Sequence, residues 1–512
     1  MPKQGQTTKH KARPPRLCWV SAGVTLAALL ALWGVVASTR LAPTLYLVMA
    51  LAGAILVADI VFLLTRDASR RGRTIVGCVL AALAVVGSLV GGFYIWRTVN
   101  AVRTVSNTVE DHARVSFYAM QDSSAQTLDD LADGAFGILK ELDRANTDAT
   151  LQQVETEHGL TLSVTEYDSL IYLADALQNG EVDAIVLNEA YLALYEETPG
   201  YEDFPAGLKS ISTRQVEQVA QPAETEAQPQ EDSVINILIS GSDTRESSID
   251  QYGRSDVNII ASINPETHRV LLLSTPRDYF VPLAVGVDNA YDKLTHAGIY
   301  GMDVLMGTLE NLYGIQIDYY FRINFTGFVD VVDALGGVEV NSDYDFTTEY
   351  NSKSYHFAQG TNTLNGEEAL AFARTRYAFA EGDRQRGNNQ LAIVKAVIRK
   401  AMSPSILTSY LSILESVQNC VDTDVPYTVL ADLVRQQLEN NVAWTVTSYS
   451  VDGSDATSTT YSMNQQLYVM IPDETTVQEA KNKLADLGNT VAQDSEATAE
   501  PEATAAPEEP AA

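Results

Sequence analysis

Three apolar stretches crowd into the first hundred residues, and they limit what the rest of the chain can be. Leu17–Thr39 runs 23 residues without a charge, between Arg16 and Arg40. Leu41–Thr65 carries one charge, Asp59, and Thr74–Trp96 carries none before Arg97. At 1.5 Å of rise per residue, each is long enough as a helix to cross a hydrocarbon core of about 30 Å. The first is too long for the apolar part of a cleaved leader, lacks a small-x-small exit and is followed by two more spans. All three are therefore read as membrane helices.

Basic residues orient them. The tail 1–16 holds Lys3, Lys9, Lys11, Arg13 and Arg16, and the second loop holds Arg66, Arg70, Arg71 and Arg73. The connection around Arg40-Leu41-Ala42-Pro43 is short and nearly neutral. Tail and second loop are thus expected on the cytoplasmic side, and everything after Trp96 outside the cell. Asp59 lies within a turn or two of Arg66 and is read as an interfacial acid.

Charge divides the chain in the same place. The net charge is −32, but residues 1–103 hold 12 Lys/Arg against 2 Asp/Glu, leaving about −42 on the remainder. A body this acidic lacks the basic face that counterion release requires, so DNA and RNA are not expected partners. The three cysteines, Cys18, Cys78 and Cys420, offer no disulfide framework, since two fall in apolar spans. A chain of 512 residues has room for two or three domains.

Beyond the spans, residues 97–113 read as a polar stalk. From Val115 to Ser212 short apolar strands alternate with helical stretches. Val115–Met120 reads as a strand and Leu128–Ala132 as a helix, while Leu170, Leu173, Ala174 and Leu177 share one helical face. Ala184–Leu187 reads as a short buried strand. Residues 218–232, rich in Gln, Glu, Pro and Ala, read as a linker, and 491–512 as a disordered acidic tail.

Within this acidic body, residues 241–390 contain nine Arg against two Lys. A guanidinium forks onto two phosphate oxygens, whereas an ammonium is a point charge. The arginines also sit in short motifs: Gly241-Ser242-Asp243-Thr244-Arg245, Arg254-Ser255-Asp256, Pro276-Arg277-Asp278, Arg374-Thr375-Arg376 and Arg384-Gln385-Arg386 with Gln390. Such a set suits a concentrated anion. Asp243 and Asp256 supply hard oxygen ligands of the kind that hold Mg²⁺ together with phosphates. Arg254, Arg277, Arg374, Arg376 and Arg386 supply forked donors, with Gln390 one helical turn beyond Arg386. Arg374 and Arg376 are expected to point together from an extended segment. Isolated Arg269, Arg322 and Arg384 are read as solvated charges or surface salt bridges. Tyr319, Tyr320, Phe321, Ile323, Phe325 and Phe328 are read either as core or as the lining of a lipid slot.

Around these motifs, Val234–Ser240 reads as a strand and Ile259–Ile263 with Val270–Ser274 as a hairpin. The region then continues with a helix from Met302 to Gly314, a strand over Ile317–Phe325 and a helix over Gly327–Leu335. Val338–Val340 follows the Gly336-Gly337 stop, and helices are expected over Glu367–Phe372 and Gln390–Met402. The fold class is therefore α/β: three N-terminal transmembrane helices, a small α/β accessory domain over 115–212, and an α/β sandwich core with a central mixed sheet over 233–490.

Residues 234–402 resemble the LytR-CpsA-Psr family of cell-wall transferases. The matching text is "ILISGSDTR", "GRSDVNIIASINPETHRVLLLSTPRDYFV", "DKLTHAGIYG", "IDYYFRINFTGFVDVVDALGGVEV" and "LNGEEALAFARTRYAFAEGDRQRGNNQ", in that order. The resemblance implies transfer of a glycopolymer, such as wall teichoic acid or capsular polysaccharide, from a polyprenyl-pyrophosphate carrier onto peptidoglycan, with magnesium. The muramic acid C6 hydroxyl is the implied acceptor. Arg277 and Asp278 carry over as catalytic residues, Asp243 and Asp256 as metal ligands. Arg254, Arg277, Lys293, Arg374, Arg376, Arg386 and Gln390 carry over as phosphate ligands. Hydrolysis of the lipid pyrophosphate would use the same residues, whereas a non-enzymatic envelope receptor would sense a solute through 115–212 while the core grips lipid pyrophosphate. Residues 115–212 resemble one lobe, or a reduced form, of the periplasmic solute-binding fold, and read equally as a spacer. Because every candidate ligand lies beyond residue 240, that unit is expected to be dispensable for the chemical step.

Overall fold

A computed structural model describes residues 16–40, 42–67, 70–106, 112–159, 161–217, 234–242, 253–285, 290–379, 382–401, 421–440 and 442–488. The linker 218–232, Asp243 and the tail beyond 488 lie outside them. The apolar stretches form helices α1 (Arg16–Ser38), α2 (Thr44–Thr65) and α3 (Arg71–Ser106), all long and apolar enough to span a membrane. Helix α3 continues ten residues past Trp96 through the segment read as a stalk.

The accessory unit is a five-stranded sheet ordered β3-β2-β4-β1-β5. Its strands are β1 (His112–Met120), β2 (Ala135–Leu139), β3 (Ser163–Tyr167), β4 (Ala184–Asn188) and β5 (Leu208–Glu217). Helices α4 (Arg144–His158), α5 (Leu170–Gln178) and the five-residue α6 (Leu192–Glu196) connect them. The predicted face of α5 is buried, and Ser169 caps it by accepting from the Tyr172 amide at 3.3 Å. The helix expected over Leu128–Ala132 is a single 3₁₀ turn at Asp129–Leu131.

The larger domain is built on a six-stranded mixed sheet. Its early strands are β6 (Ile235–Ser242), β7 (Val257–Asn264) and β8 (Arg269–Ser274), followed by the short pair β9 (Phe280–Pro282) and β10 (Tyr291–Lys293). Then come α7 (Leu294–Ala297), α8 (Met302–Tyr313), β11 (Tyr319–Asn324) and α9 (Phe325–Ala334). Two hairpin pairs follow, β12 (Val338–Ser342) with β15 (Gly360–Leu364), and β13 (Phe346–Tyr350) with β14 (Lys353–Phe357). The chain ends with α10 (Gly366–Arg374), α11 (Asp383–Ala401), β16 (Val421–Thr423), α12 (Tyr427–Asn440), β17 (Thr445–Ser450), β18 (Gly453–Thr459), β19 (Gln466–Pro472) and α13 (Glu474–Gly488). The sheet order is β16-β11-β6-β7-β8-β17.

Period-two alternation explains the layers. Ile259, Ala261, Val270 and Leu272 face Leu391 and Val394 of α11, whereas Ile260, Leu271 and Leu273 join Leu305, Leu309, Val477 and Leu484 from α8 and α13. The result is a helix–sheet–helix sandwich. Helix α8 stops where Gly314 takes φ 69°, and α9 ends before Gly336 and Gly337 at φ 74° and 81°. The accessory unit is not a free-standing spacer. One continuous buried cluster contains Leu170, Tyr191 and Leu194 from it and Leu294, Tyr300 and Met302 from the larger domain. The Tyr191 and Tyr300 rings meet edge to face at 6.1 Å.

Candidate active site

Sheet direction brings the motifs together. Strand β6 runs parallel to β11, and β8 parallel to β17. The register Ser242↔Asn324 and Ser274↔Ser450 puts all four carboxyl ends at one edge, where β7 begins with Gly241↔Val257. Loops at that edge carry Asp256 and Arg277, and ligands of open α/β sheets gather beyond such strand ends.

A cleft of about 330 Å³ opens there, lined by Asp256, Thr275, Arg277, Asp383, Arg384, Arg386, Asn388, Gln390 and Asp452. Beside it lies a smaller, almost wholly apolar cleft of about 80 Å³, lined by Ile239, Val257, Ile323, Phe325, Phe328, Leu370, Arg374 and Val394. Gln390 borders both. Of the aromatic residues open to two readings, Phe325 and Phe328 therefore line a slot, with Ile323. Phe321 packs on Val421 instead, and the Tyr320 hydroxyl donates to Asp422.

Residues 253–256 are held from below. Ser255 is fully buried, its hydroxyl 2.8 Å from that of Ser240 and donating to Asn258 Oδ1 at 2.7 Å. The Asp256 amide donates to the Gly241 carbonyl at 2.8 Å. With Ser255 pointing down, its neighbours Arg254 and Asp256 turn the other way, and Asp256 lines the cleft. Arg277 Nη1 donates to Asp256 Oδ1 at 2.6 Å, and the Thr295 hydroxyl donates to the same oxygen at 3.4 Å. Arg277 Nε lies 3.8 Å from Asp278, which pairs with Lys293 at 3.2 Å. Burial alone would lower the Arg277 pKa, but Asp256, Glu197 and Asp278 outweigh it and raise it. Arg386 pairs with Asp383 at 2.5 Å, one turn before Gln390 on α11.

Some readings change. Arg374 and Arg376 do not alternate on an extended segment. Arg374 is the last residue of α10, stacked 4.1 Å over Phe325 at the apolar cleft, while exposed Arg376 lies 3.7 Å from Asp383. Helix α11 begins at Asp383 rather than Gln390, so Arg384 and Arg386 are helical. Arg322 is the opposite of a solvated charge: it is 0% exposed and its Nη2 donates to the Gly253 carbonyl at 2.8 Å, beneath Arg254. Arg384 keeps its reading as a surface ion pair, bonded to Asp452, Gly453 and Asp455 of the β18 hairpin. Asp243 lies outside the described residues.

Sequence reasoning missed Asp383, Asp452 and Glu197. Asp383 had a signal, its place two residues before Gln385 in the last arginine motif. Glu197 had none, since it comes from the accessory unit. It pairs with Arg254 at 2.6 Å and with Arg277 at 2.8 Å. Burial would raise its pKa, but the two guanidiniums dominate and bring it down to about 2.

Among the described residues, no cluster of three metal-ligating side chains occurs. Asp256, Asp383 and Asp452 bring carboxylates to the cleft, each paired with an arginine, and Mg²⁺ commonly takes one or two carboxylates with the remaining oxygens from phosphate and water. The donor chemistry fits that ion.

A profile of the LytR_cpsA_psr family matches residues 206–486. A second profile, DNA polymerase processivity factor, matches residues 72–187, which join a membrane-length helix to part of the accessory sheet and so do not form one folded unit. A Bacillus cereus protein named polyisoprenyl-teichoic acid–peptidoglycan teichoic acid transferase TagU is 36% identical over 211 residues, 40% of this chain and 66% of the relative. The protein of that name from Oceanobacillus iheyensis is 34% identical over 253 residues, 48% of this chain and 73% of its own length. The chain thus spans about two thirds of the relatives it matches. A crystal structure of Bacillus subtilis TagV shares 30% identity, covering 50% of this chain and 98% of that one, with a TM-score of 0.43. With the family profile matched over more than half of its length, the chain belongs to the LytR_cpsA_psr family.

Proposed function

We propose that this protein is a membrane-anchored transferase that moves a glycopolymer from a polyprenyl-pyrophosphate carrier onto peptidoglycan. Its α1–α3 helices cross the membrane and its body faces the cell exterior. The observation that carries this reading is the pairing of two clefts: an arginine-lined polar one holding Arg277, Arg386 and Asp256, and an apolar one, joined at Gln390. A lipid pyrophosphate has the same two halves. The TagU relatives, named for polyisoprenyl-teichoic acid and peptidoglycan, support the substrate class.

The acceptor hydroxyl oxygen bonds to the glycan-bearing phosphorus, and the bond from that phosphorus to the bridging oxygen breaks. Polyprenyl phosphate leaves, and the hydroxyl proton passes to solvent. Arg254, Arg277 and Arg386 hold the phosphate charges and stabilise the leaving group. Asp278 orders Arg277 and Lys293 through its two ion pairs. Arg374, packed on Phe325, sits where lipid and phosphate meet. Asp256, with Asp243, would hold Mg²⁺, which when bound neutralises phosphate charge that would repel the incoming oxygen.

Mass analysis of products tests this, after the purified protein is mixed with lipid-linked glycan and peptidoglycan oligomer. Glycan phosphate joined to the oligomer is expected. Free glycan phosphate alone would mean hydrolysis, and unchanged donor would mean a receptor.

A further inference from the structure

One side chain of the accessory unit pairs with Arg277, which lines the polar cleft, and with Arg254. Glu197 follows α6, and Arg277 Nη2 donates to both of its oxygens at 2.8 and 2.9 Å. Arg254 Nη1 lies 2.6 Å from Oε1 and also faces the Ala193 carbonyl within α6 at 3.4 Å. The other carboxylates on the cleft arginines, Asp256, Asp278, Asp383, Asp452 and Asp455, belong to the same domain as their partners. Glu197 comes from across the interface, with 31% of its side chain still exposed.

We propose that Glu197 is a resident anion of the diphosphate site, which an incoming ligand must displace to reach Arg254 and Arg277, and that it thereby sets an affinity threshold for anions there. This rests on the reading of the cleft given above. The same N–H groups cannot serve the carboxylate and a phosphate together, so the loss of the Glu197 contacts is subtracted from the affinity of every anion. A diphosphate carries more charge than the carboxylate and spans onward to Arg386, so it overcomes that loss. A phosphodiester with one negative charge, such as bulk phospholipid presents, exchanges one monoanion for another and gains little. The threshold keeps abundant membrane lipid out of the site. By linkage, diphosphate binding releases the Glu197 segment from the core, so the accessory unit is loosened when donor is bound.

Full-length protein in detergent, with Mg²⁺, is titrated with geranylgeranyl diphosphate and with dihexanoylphosphatidylglycerol. Glu197→Gln keeps the shape and removes the charge, and it is expected to tighten both ligands by on the order of tenfold or more. Hydrogen exchange on the wild type is expected to speed up across residues 192–197 at saturating diphosphate. Equal or weaker binding by the variant, with wild-type diphosphate binding intact, overturns the proposal and leaves the cleft reading standing. Absence of diphosphate binding in both proteins overturns the two together. Should the variant fail to fold, unchanged or slower exchange at 192–197 in the wild type overturns the proposal.

Discussion

Arg277 faces three carboxylates, Asp256, Glu197 and Asp278, with 11% of its side chain exposed. In that shelter a forked, charge-assisted contact contributes on the order of 1.5–3 kcal/mol, against about 0–1 for exposed pairs. Arg277→Lys is therefore expected to weaken a diphosphate ligand by at least tenfold, while Arg269→Lys leaves it unchanged; calorimetric titration of both variants decides. Asp256→Ala, and likewise Asp243→Ala, should blunt the dependence of turnover on Mg²⁺. Transfer by both variants at wild-type rate with the metal chelated would remove the metal assignment. Asp143 supplies a pH signature away from the cleft. It is buried at φ 53°, bonded to Asn146 at 2.6 Å through Oδ1 only, and burial pushes its pKa up from 3.8 to about 6. A raised carboxyl pKa means the folded state holds the proton more tightly, so stability falls as pH rises from 3.8 through 6. Asp143→Asn, which tolerates that backbone, should raise the melting temperature at pH 7.5, worth on the order of 2–3 kcal/mol. The gain should vanish near pH 4.

At the scale of elements, the loop 253–256 depends on what lies under it. A Cβ on Gly298 would stand 2.7 Å from the Gly253 carbonyl oxygen and 3.1 Å from the Ser255 amide nitrogen, both backbone atoms. Gly298→Ala is therefore expected to lift the loop, costing about 1–3 kcal/mol of stability and displacing Arg254 and Asp256. Unchanged melting and unchanged diphosphate affinity would show that the loop gives way without consequence. Helix α10 owes its start to a capping box, Asn365 with Glu368. Its end at Arg374 points that residue at Phe325 rather than at Arg376. A helix terminus and an extended strand place alternate residues differently, which is why the Arg374–Arg376 pair separates.

For the whole molecule, the interface between the accessory unit and the core is the main departure from a string of independent domains. Tyr191 on Tyr300, and the buried cluster running through both, imply that a 234–488 fragment exposes apolar surface the full protein covers. Such a fragment should melt lower than one spanning 112–488. It should also lose the Glu197 contact, and so bind diphosphate more tightly if it stays folded. Equal melting temperatures would show that the interface contributes nothing to stability.

Local pattern was enough for much of this. Apolar length determined the three long apolar helices, and period-two and 3.6-residue alternation determined β7, β8, α5 and α8, because those signals depend on near neighbours in the chain. The arginine motifs singled out Arg277, Arg386 and Asp256, which line one cleft. Tertiary structure decided the rest. Arg322 is in an apolar strand, yet only the fold shows it buried beneath Gly253 instead of solvated. Glu197 is an ordinary acid in an acidic unit, 80 residues from Arg277, and no spacing rule joins the two. Burial and ion pairing across domains depend on where whole surfaces meet, and that depends on the summed packing of both units rather than on any stretch of sequence.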